Sequence, residues 1–310
     1  MKCKNAALLV LLLSVWIAPG QGPISPPGPP GPLMKSLAQV EPRIPISTAG
    51  TVITESGNYY VTNDLVATVS PGWVIEIRAT ATNVVLDLNG FTLSAAPGVV
   101  AVGGAAPVGV YLAPRMTGTV QIKNGHIRGG RGLPLSDGLL TGAGLAFGVF
   151  DFPPVDSRAL TLVEDVTCSG LVNAILAVGG TVRNCQVTES NIGISAALIQ
   201  HCMVRCQTSA LEGTTIQHCF AECRSETSTS AAVSGVDVLG CTVKSDVPES
   251  VDVIRATRVT DCTVATRVSE GRGGIRAGIV TNCIAYRIDA GIAVGCIRTT
   301  GTITNRYNMP

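Results

Sequence analysis

Cysteines are the most regularly spaced residues in this 310-residue chain that could do chemistry, because thiols form disulfides and bind metals. Six of them recur at intervals of 17, 17, 22, 21 and 21 residues. Each lies three residues after an aliphatic side chain and two residues before a small aliphatic one. The six are Cys185, Cys202, Cys219, Cys241, Cys262 and Cys283. Such a repeat indicates equivalent positions in successive coils of one solenoid rather than a disulfide framework.

The residue before each repeated cysteine belongs to a type that tolerates positive φ. Asn, Asp, His and Gly adopt the left-handed conformation more readily than other residues, so one bend is predicted in every coil. We predict a structural turn column formed by Asn124, Asp165, Asn184, His201, His218, Gly240, Asp261, Asn282 and Asn305.

A second aliphatic position recurs eight residues before the cysteine, so the half-coil between the two keeps a constant length. Length variation is confined to the other part of the coil, where inserted residues can loop out without disturbing stacked strands. The pattern predicts an all-β fold, a right-handed single-stranded parallel β-helix. Its coils are expected to contain roughly 17–23 residues each.

Stacked coils align equivalent side chains in columns, and the six repeated cysteines are expected to form an interior column of mostly free thiols. A second pair, Cys206 and Cys223, follows Cys202 and Cys219 by four residues in adjacent coils. This pair is the favoured disulfide, although the spacing leaves open whether it is bridged.

The amino-terminal region is expected to lie outside the solenoid. Residues 1–20 combine two lysines with a short apolar run and small residues at a cleavage site, as in a signal peptide. Residues 21–47 form a proline-rich leader or linker, and residues 48–310 form the β-helix domain. The mature protein is therefore expected to be secreted, periplasmic or on the cell surface, with no transmembrane segment. A net charge of +1 without a basic cluster gives no indication of nucleic-acid binding.

Three early segments carry a resemblance to known proteins: TVITESGNYYVTNDL, WVIEIRATATNVVLDLNGFTL and TVQIKNGHIRGG. They resemble the opening coils of exported bacterial right-handed parallel β-helix proteins of the pectate-lyase-like superfamily. The resemblance implies the fold, but the superfamily includes lyases, hydrolases, epimerases and adhesins, so it does not fix an activity. A lyase would require Ca²⁺ and a basic residue, whereas the other possible functions require no cofactor. The chain lacks a recognisable catalytic motif of these enzymes.

Two irregular regions are candidates for ligand binding. The first, the flap, spans residues 129–157. Its candidate residues are Phe147, Phe150, Asp151, Phe152 and Asp156. The aromatic rings would either pack against the solenoid or offer a surface on which sugars stack.

The second region, the shelf, comprises the long turns at 224–231, 245–252 and 266–273. Its charged residues are Arg224, Glu226, Asp246, Glu249, Asp252, Arg267, Glu270 and Arg272. They would form either a solvated edge or a ledge across which an extended polymer lies.

No metal site is predicted, because His201 and His218 are ordinary occupants of the turn column and no third ligand is specified by spacing. The favoured function is that of a noncatalytic extracellular or surface protein that binds a glycan or has a structural role. The alternative is a polysaccharide lyase or glycoside hydrolase acting on an acidic polysaccharide, for which no catalytic residue can be assigned. An extracellular polysaccharide is the expected partner, together with self-association at the carboxyl-terminal end of the solenoid.

Overall fold

The computed structural model describes residues 43–68, 72–96, 107–130, 144–151, 158–224, 230–245, 252–266, 274–300 and 303–307. These residues lie in one compact unit that begins at Arg43. The strands are β1 (Ile44–Ile46), β2 (Thr51–Ile53), β3 (Gly57–Val61), β4 (Leu65–Ala67), β5 (Trp73–Ile77), β6 (Asn83–Asp87), β7 (Thr92–Ala95), β8 (Val108–Leu112), β9 (Thr117–Arg128), β10 (Phe147–Asp151), β11 (Arg158–Ser169), β12 (Asn173–Arg183), β13 (Gln186–Gln200), β14 (Met203–Gln217), β15 (Phe220–Cys223), β16 (Val233–Leu239), β17 (Thr242–Ser245), β18 (Ile254–Thr260), β19 (Thr263–Thr266), β20 (Ile275–Thr281), β21 (Ile284–Val294), β22 (Ile297–Thr300) and β23 (Ile303–Tyr307).

All registered strand pairs are parallel, and they form three stacks that run along the solenoid. The first stack begins with β2, β5, β8 and β10. The second begins with β1, β3, β6, β9 and β11. The third begins with β4, β7 and β9 and continues through β14, β15 and β17. The predicted right-handed parallel β-helix is confirmed. Because β1 pairs with β3, the solenoid starts before residue 48.

The predicted coil length holds only in the middle of the solenoid. There Val182 pairs with Ile199, and Val238 pairs with Val259, spacings that fall inside the expected range. The coil that runs from Ile122 to its partner Val163 is much longer, because residues are inserted between its strands. The coil from Val280 to its partner Ala293 is shorter than any predicted one, because it has almost no connecting segment.

Positive φ recurs at the bend between the second and third stacks. The φ values are between 51° and 60° at Asn124, Asp165, Asn184, His201, His218, Gly240, Asp261 and Asn282. The prediction for Asn305 is wrong, because Asn305 pairs with Ile292, which precedes the bend of that coil. Gly295, with a φ of 63°, follows Asn282 in the column instead. The short coil that ends at Gly295 shifts the register that the longer repeats had suggested.

The interior is filled by columns of aliphatic and thiol side chains. Val182, Ile199 and Ile216 are each fully buried. The six repeated cysteines are buried and unbridged, and Cys296 adds a seventh position to their column. The described residues contain no helix of the length and apolar character needed to cross a membrane.

Candidate binding groove

A groove of about 780 Å³ crosses the outer surface of the second stack. It runs over β3, β6, β9, β11 and β12, which belong to five successive coils. Since stacked strands lie about 4.8 Å apart, five coils give the groove a length of roughly 19 Å. Its long axis therefore follows the solenoid axis, and an extended polymer would contact one coil after another.

Two outward-facing columns form the floor of the groove. One is made by Asn83, Thr119 and Leu160, which pair in register on β6, β9 and β11. The other contains Asn58, Val85, Gln121, Leu162 and Thr181. Amide and hydroxyl groups thus alternate with aliphatic surface along the floor, and Leu160 is 66% exposed.

Hydrogen bonds between coils hold several polar groups of the groove in place. The Ser56 hydroxyl oxygen accepts hydrogen bonds from the backbone N–H groups of Thr82 and Asn83, each at 3.1 Å. The Thr119 hydroxyl donates to the Asn83 side-chain oxygen at 3.0 Å. Such bonds fix these side chains before a ligand arrives, which lowers the entropy lost on binding.

A charged cluster borders the groove at Arg183. Arg183 Nε donates to Glu164 Oε2 at 2.7 Å, and Gln121 Nε2 donates to Glu164 Oε1. Burial acts to raise the pKa of Glu164, but the hydrogen bonds from Arg183 and Gln121 and the charges of Arg183 and Lys123 outweigh it and lower the pKa. Glu164 is therefore held as a carboxylate, which suits it to orient Arg183 and not to donate a proton.

Two adjacent glycines on β12, Gly179 and Gly180, line the groove at the last of its five coils. A Cβ at Gly180 would come within 2.4 Å of the Thr161 carbonyl oxygen, so this position accepts no side chain without movement. A Cβ at Gly179 would meet nothing within 4 Å, and Gly179 is exposed. The floor is flat here because neither glycine carries a side chain.

The described flap candidates Phe147, Phe150 and Asp151 lie on β10 in the first stack and do not line this groove. Phe150 stacks on Tyr111 with ring centroids 6.2 Å apart, and Phe147 packs on Phe150 at 4.6 Å. Tyr111 in turn stacks on Trp73 at 5.5 Å. Phe147 and Phe150 are half-buried, and their contacts with other rings favour packing over sugar stacking. The candidates Phe152 and Asp156 lie outside the described residues.

Asp151 is a buried carboxyl at the end of β10, only 7% exposed. The Thr161 hydroxyl donates to Asp151 Oδ2 at 2.9 Å. Burial raises the pKa of Asp151, and the hydrogen bond from Thr161 only partly opposes this shift. Because Thr161 also lines the groove, Asp151 supports the groove from behind.

We predict that Asp151→Asn stabilises the protein at neutral pH. A carboxyl whose pKa is raised on folding loses stability as the pH rises through its folded pKa, whereas Asn keeps an acceptor for Thr161 without a charge. The gain in melting temperature should shrink as the pH falls through the folded pKa of Asp151 and be lost below about 4, where Asp151 is protonated in both states. Scanning calorimetry at several pH values measures this difference.

The control for this prediction is Asp252→Asn, the same chemical change at a carboxylate paired with Arg255 at 3.1 Å and Arg276 at 3.4 Å. It should bring no gain at any pH. A lower melting temperature for Asp151→Asn than for wild type at pH 7 would contradict the prediction.

The described members of the shelf are engaged in ion pairs. Arg224 donates to Glu222 Oε1 from Nε at 2.8 Å, and Asp252 pairs with Arg255. These contacts are consistent with a solvated edge but do not bring the shelf charges into one site. The other candidates, Glu226, Asp246, Glu249, Arg267, Glu270 and Arg272, lie outside the described residues.

The two histidines of the turn column stack on each other. The rings of His201 and His218 are nearly parallel, with centroids 5.4 Å apart. In the part of the chain that the structure describes, no group of three or more His, Cys, Asp or Glu side chains is arranged to hold a metal ion.

Comparison of the chain with protein-family models, with curated proteins and with solved structures found no match. The fold therefore defines the class of the protein, which is a parallel β-helix with a groove along its axis.

Sequence reasoning did not find the groove. Its floor depends on the register between β6, β9 and β11, whose paired residues are far apart in the chain. The pairing of Gln121 with Leu162 is an example. The available signal was the alternation of polar and apolar residues in TVQIK, which predicts one outward face for that strand.

Proposed function

We propose that the protein is a noncatalytic binding protein for an extended glycan that lies along the groove of the second stack. The groove is the single observation that carries this proposal. It is continuous over five coils, and its polar and aliphatic side chains match the hydroxyl groups and C–H faces of sugar rings.

The residues of the floor favour a polymer over a small molecule. Each coil supplies a few weak contacts, and a single hydrogen bond contributes only about 0.5–1.5 kcal/mol. A ligand that repeats along the axis would gain affinity by engaging several coils at once, as linked sites do. A small sugar would contact one or two coils and bind weakly.

The electrostatics favour a glycan with little charge. Among the described lining residues, Arg183 is the one that carries a charge, and its guanidinium is hydrogen-bonded to Glu164. An acidic polymer would gain little from Arg183, because the positive charge of Arg183 is already paired with the Glu164 carboxylate. We therefore expect neutral polysaccharides to bind at least as tightly as uronate polymers, with little dependence on salt.

The side chains that line the groove favour binding over catalysis. Hydrolysis of a glycosidic bond usually requires two carboxyl groups, one of which donates a proton. The described lining residues are amide, hydroxyl, aliphatic and glycine positions with one arginine, and Glu164 at the border is held ionised. This arrangement supports binding more directly than it supports a lyase or hydrolase.

A panel of neutral and acidic polysaccharides of graded length tests the proposal. We expect retention of a polymer in affinity electrophoresis, with affinity rising until the oligosaccharide spans about 19 Å. The same samples, with and without Ca²⁺, should be assayed for unsaturated products and for new reducing ends. Turnover that depends on one Asp, Glu, Arg or His would overturn the noncatalytic proposal, and so would the absence of binding across the panel.

A further inference from the structure

Two cysteines outside the main cysteine column face each other in the third stack. Cys206 on β14 pairs in register with Cys223 on β15, and their Sγ atoms lie 3.2 Å apart. Cys206 is 4% exposed and Cys223 is fully buried. Neighbouring parallel strands separate Cα atoms by about 4.8 Å, within the span that a disulfide bridges.

The cysteines of the main column make additional contacts with the backbone. The thiol of Cys202 donates to the backbone carbonyl of Gln200 at 3.2 Å, and that of Cys219 to Gln217 at 3.1 Å. The same contact with the residue two positions earlier recurs at Cys283. These thiols interact with the thiols of neighbouring coils and also donate to backbone carbonyls. Cys206 and Cys223 contact each other as an isolated pair, Sγ to Sγ, outside that column.

The neighbours of this pair show that packing does not require sulfur. Ser190 precedes Cys206 in the same column, and Ser245 follows Cys223. Both serines are buried, with exposed fractions of 0% and 2%. The column therefore accommodates a small hydroxyl-bearing side chain, yet two adjacent positions carry thiols. Their adjacency is explained if the sulfur atoms form a bond.

We propose that Cys206 and Cys223 are a redox site at which a disulfide forms by exchange with a low-molecular-weight disulfide. The thiolate of one cysteine attacks a sulfur of the external disulfide and releases one thiolate. The second cysteine then attacks the mixed disulfide and releases the other. The two cysteine thiols lose two electrons and two protons, and the external disulfide becomes two thiols. The product links two successive coils covalently.

The surroundings of the pair determine how fast exchange occurs. The hydrogen bond with Cys223 and burial raise the pKa of Cys206, so little thiolate is present at neutral pH. We expect slow exchange that accelerates as the pH rises. Once formed, the bond should be reduced slowly while the protein is folded, because both sulfur atoms are shielded from solvent.

The test uses the full chain, purified under reducing conditions and then incubated with oxidised and reduced glutathione at graded ratios. Free thiols are alkylated, and the peptides are mapped by mass spectrometry. We expect a mass decrease of two hydrogens and a single cross-link, between Cys206 and Cys223, while Cys202, Cys219 and Cys283 are alkylated. The melting temperature should rise on the order of 5 °C.

Serine variants provide the matched controls. Cys206→Ser and Cys223→Ser should fold like the reduced wild type but form no cross-link, whereas Cys202→Ala should still form it. Cross-links within the main column, a stable mixed disulfide with glutathione, or two free thiols at the most oxidising ratio would each overturn the proposal. Peptide mapping of the oxidised wild-type protein tests the proposed cross-link even if a variant fails to fold.

Discussion

Replacement of Gly179 by tyrosine is expected to reduce glycan affinity at least tenfold while leaving the melting temperature nearly unchanged. Gly179 lines the groove, and a Cβ there would meet nothing within 4 Å. Its φ lies outside the left-handed region, so a side chain causes no backbone strain. The phenol ring would rise from the floor of the groove and interrupt the path of a polymer. A tenfold loss in affinity corresponds to about 1.4 kcal/mol. This is less than the binding free energy that the several contacts of one blocked coil would contribute.

Val178→Tyr is the matched control because it adds the same ring one residue earlier. Val178 is 45% exposed and does not line the groove. Binding of each variant to a polysaccharide that wild type retains is measured by calorimetry, and folding is checked by thermal melting. Equal affinities for the two variants would show that the glycan binds elsewhere on the solenoid, whereas a selective loss at Gly179 would place it in the groove.

The bend of each coil could be predicted because its cause is local. A residue at positive φ must be of a type that tolerates it, and Asn184, His201 and Asn282 identify the column without any knowledge of packing. The interior cysteines were predictable for the same reason, since each follows the bend directly. The error at Asn305 arose where the coil became shorter than the repeats before it and Gly295 took the turn.

The groove and the aromatic cluster required knowledge of register. Phe150 meets Tyr111 because β10 pairs with β8, although a long insertion separates the two strands in the chain. Leu160 lies beside Thr119 for a similar reason. Because the insertions vary in length, the sequence does not show which residues of two coils are neighbours. The sequence pattern therefore predicts the outward face of each strand, but not the surface that these faces form together.

Asn282→Val is expected to destabilise the protein by about 1–3 kcal/mol, which is the usual range for a non-glycine residue forced into the left-handed region. Asn282 has a φ of 51°, and its backbone N–H donates to the Val294 carbonyl at 2.8 Å. A β-branched side chain crowds the backbone at this φ, and relief by a change of φ would break the bond to Val294. For a domain of this size the melting temperature should fall by roughly 3–10 °C.

Two variants separate backbone strain from loss of the Asn282 side chain. Asn282→Gly removes the side chain but tolerates positive φ, as Gly240 does in the same column, so it should cost less than Asn282→Val. Thr281→Val introduces valine at the preceding strand position, where β-branched residues are favoured, and should be nearly neutral. Equal melting temperatures for Asn282→Val and Asn282→Gly would mean that left-handed strain does not control stability at this bend. A clear difference between them would show that this bend depends on a residue that tolerates positive φ.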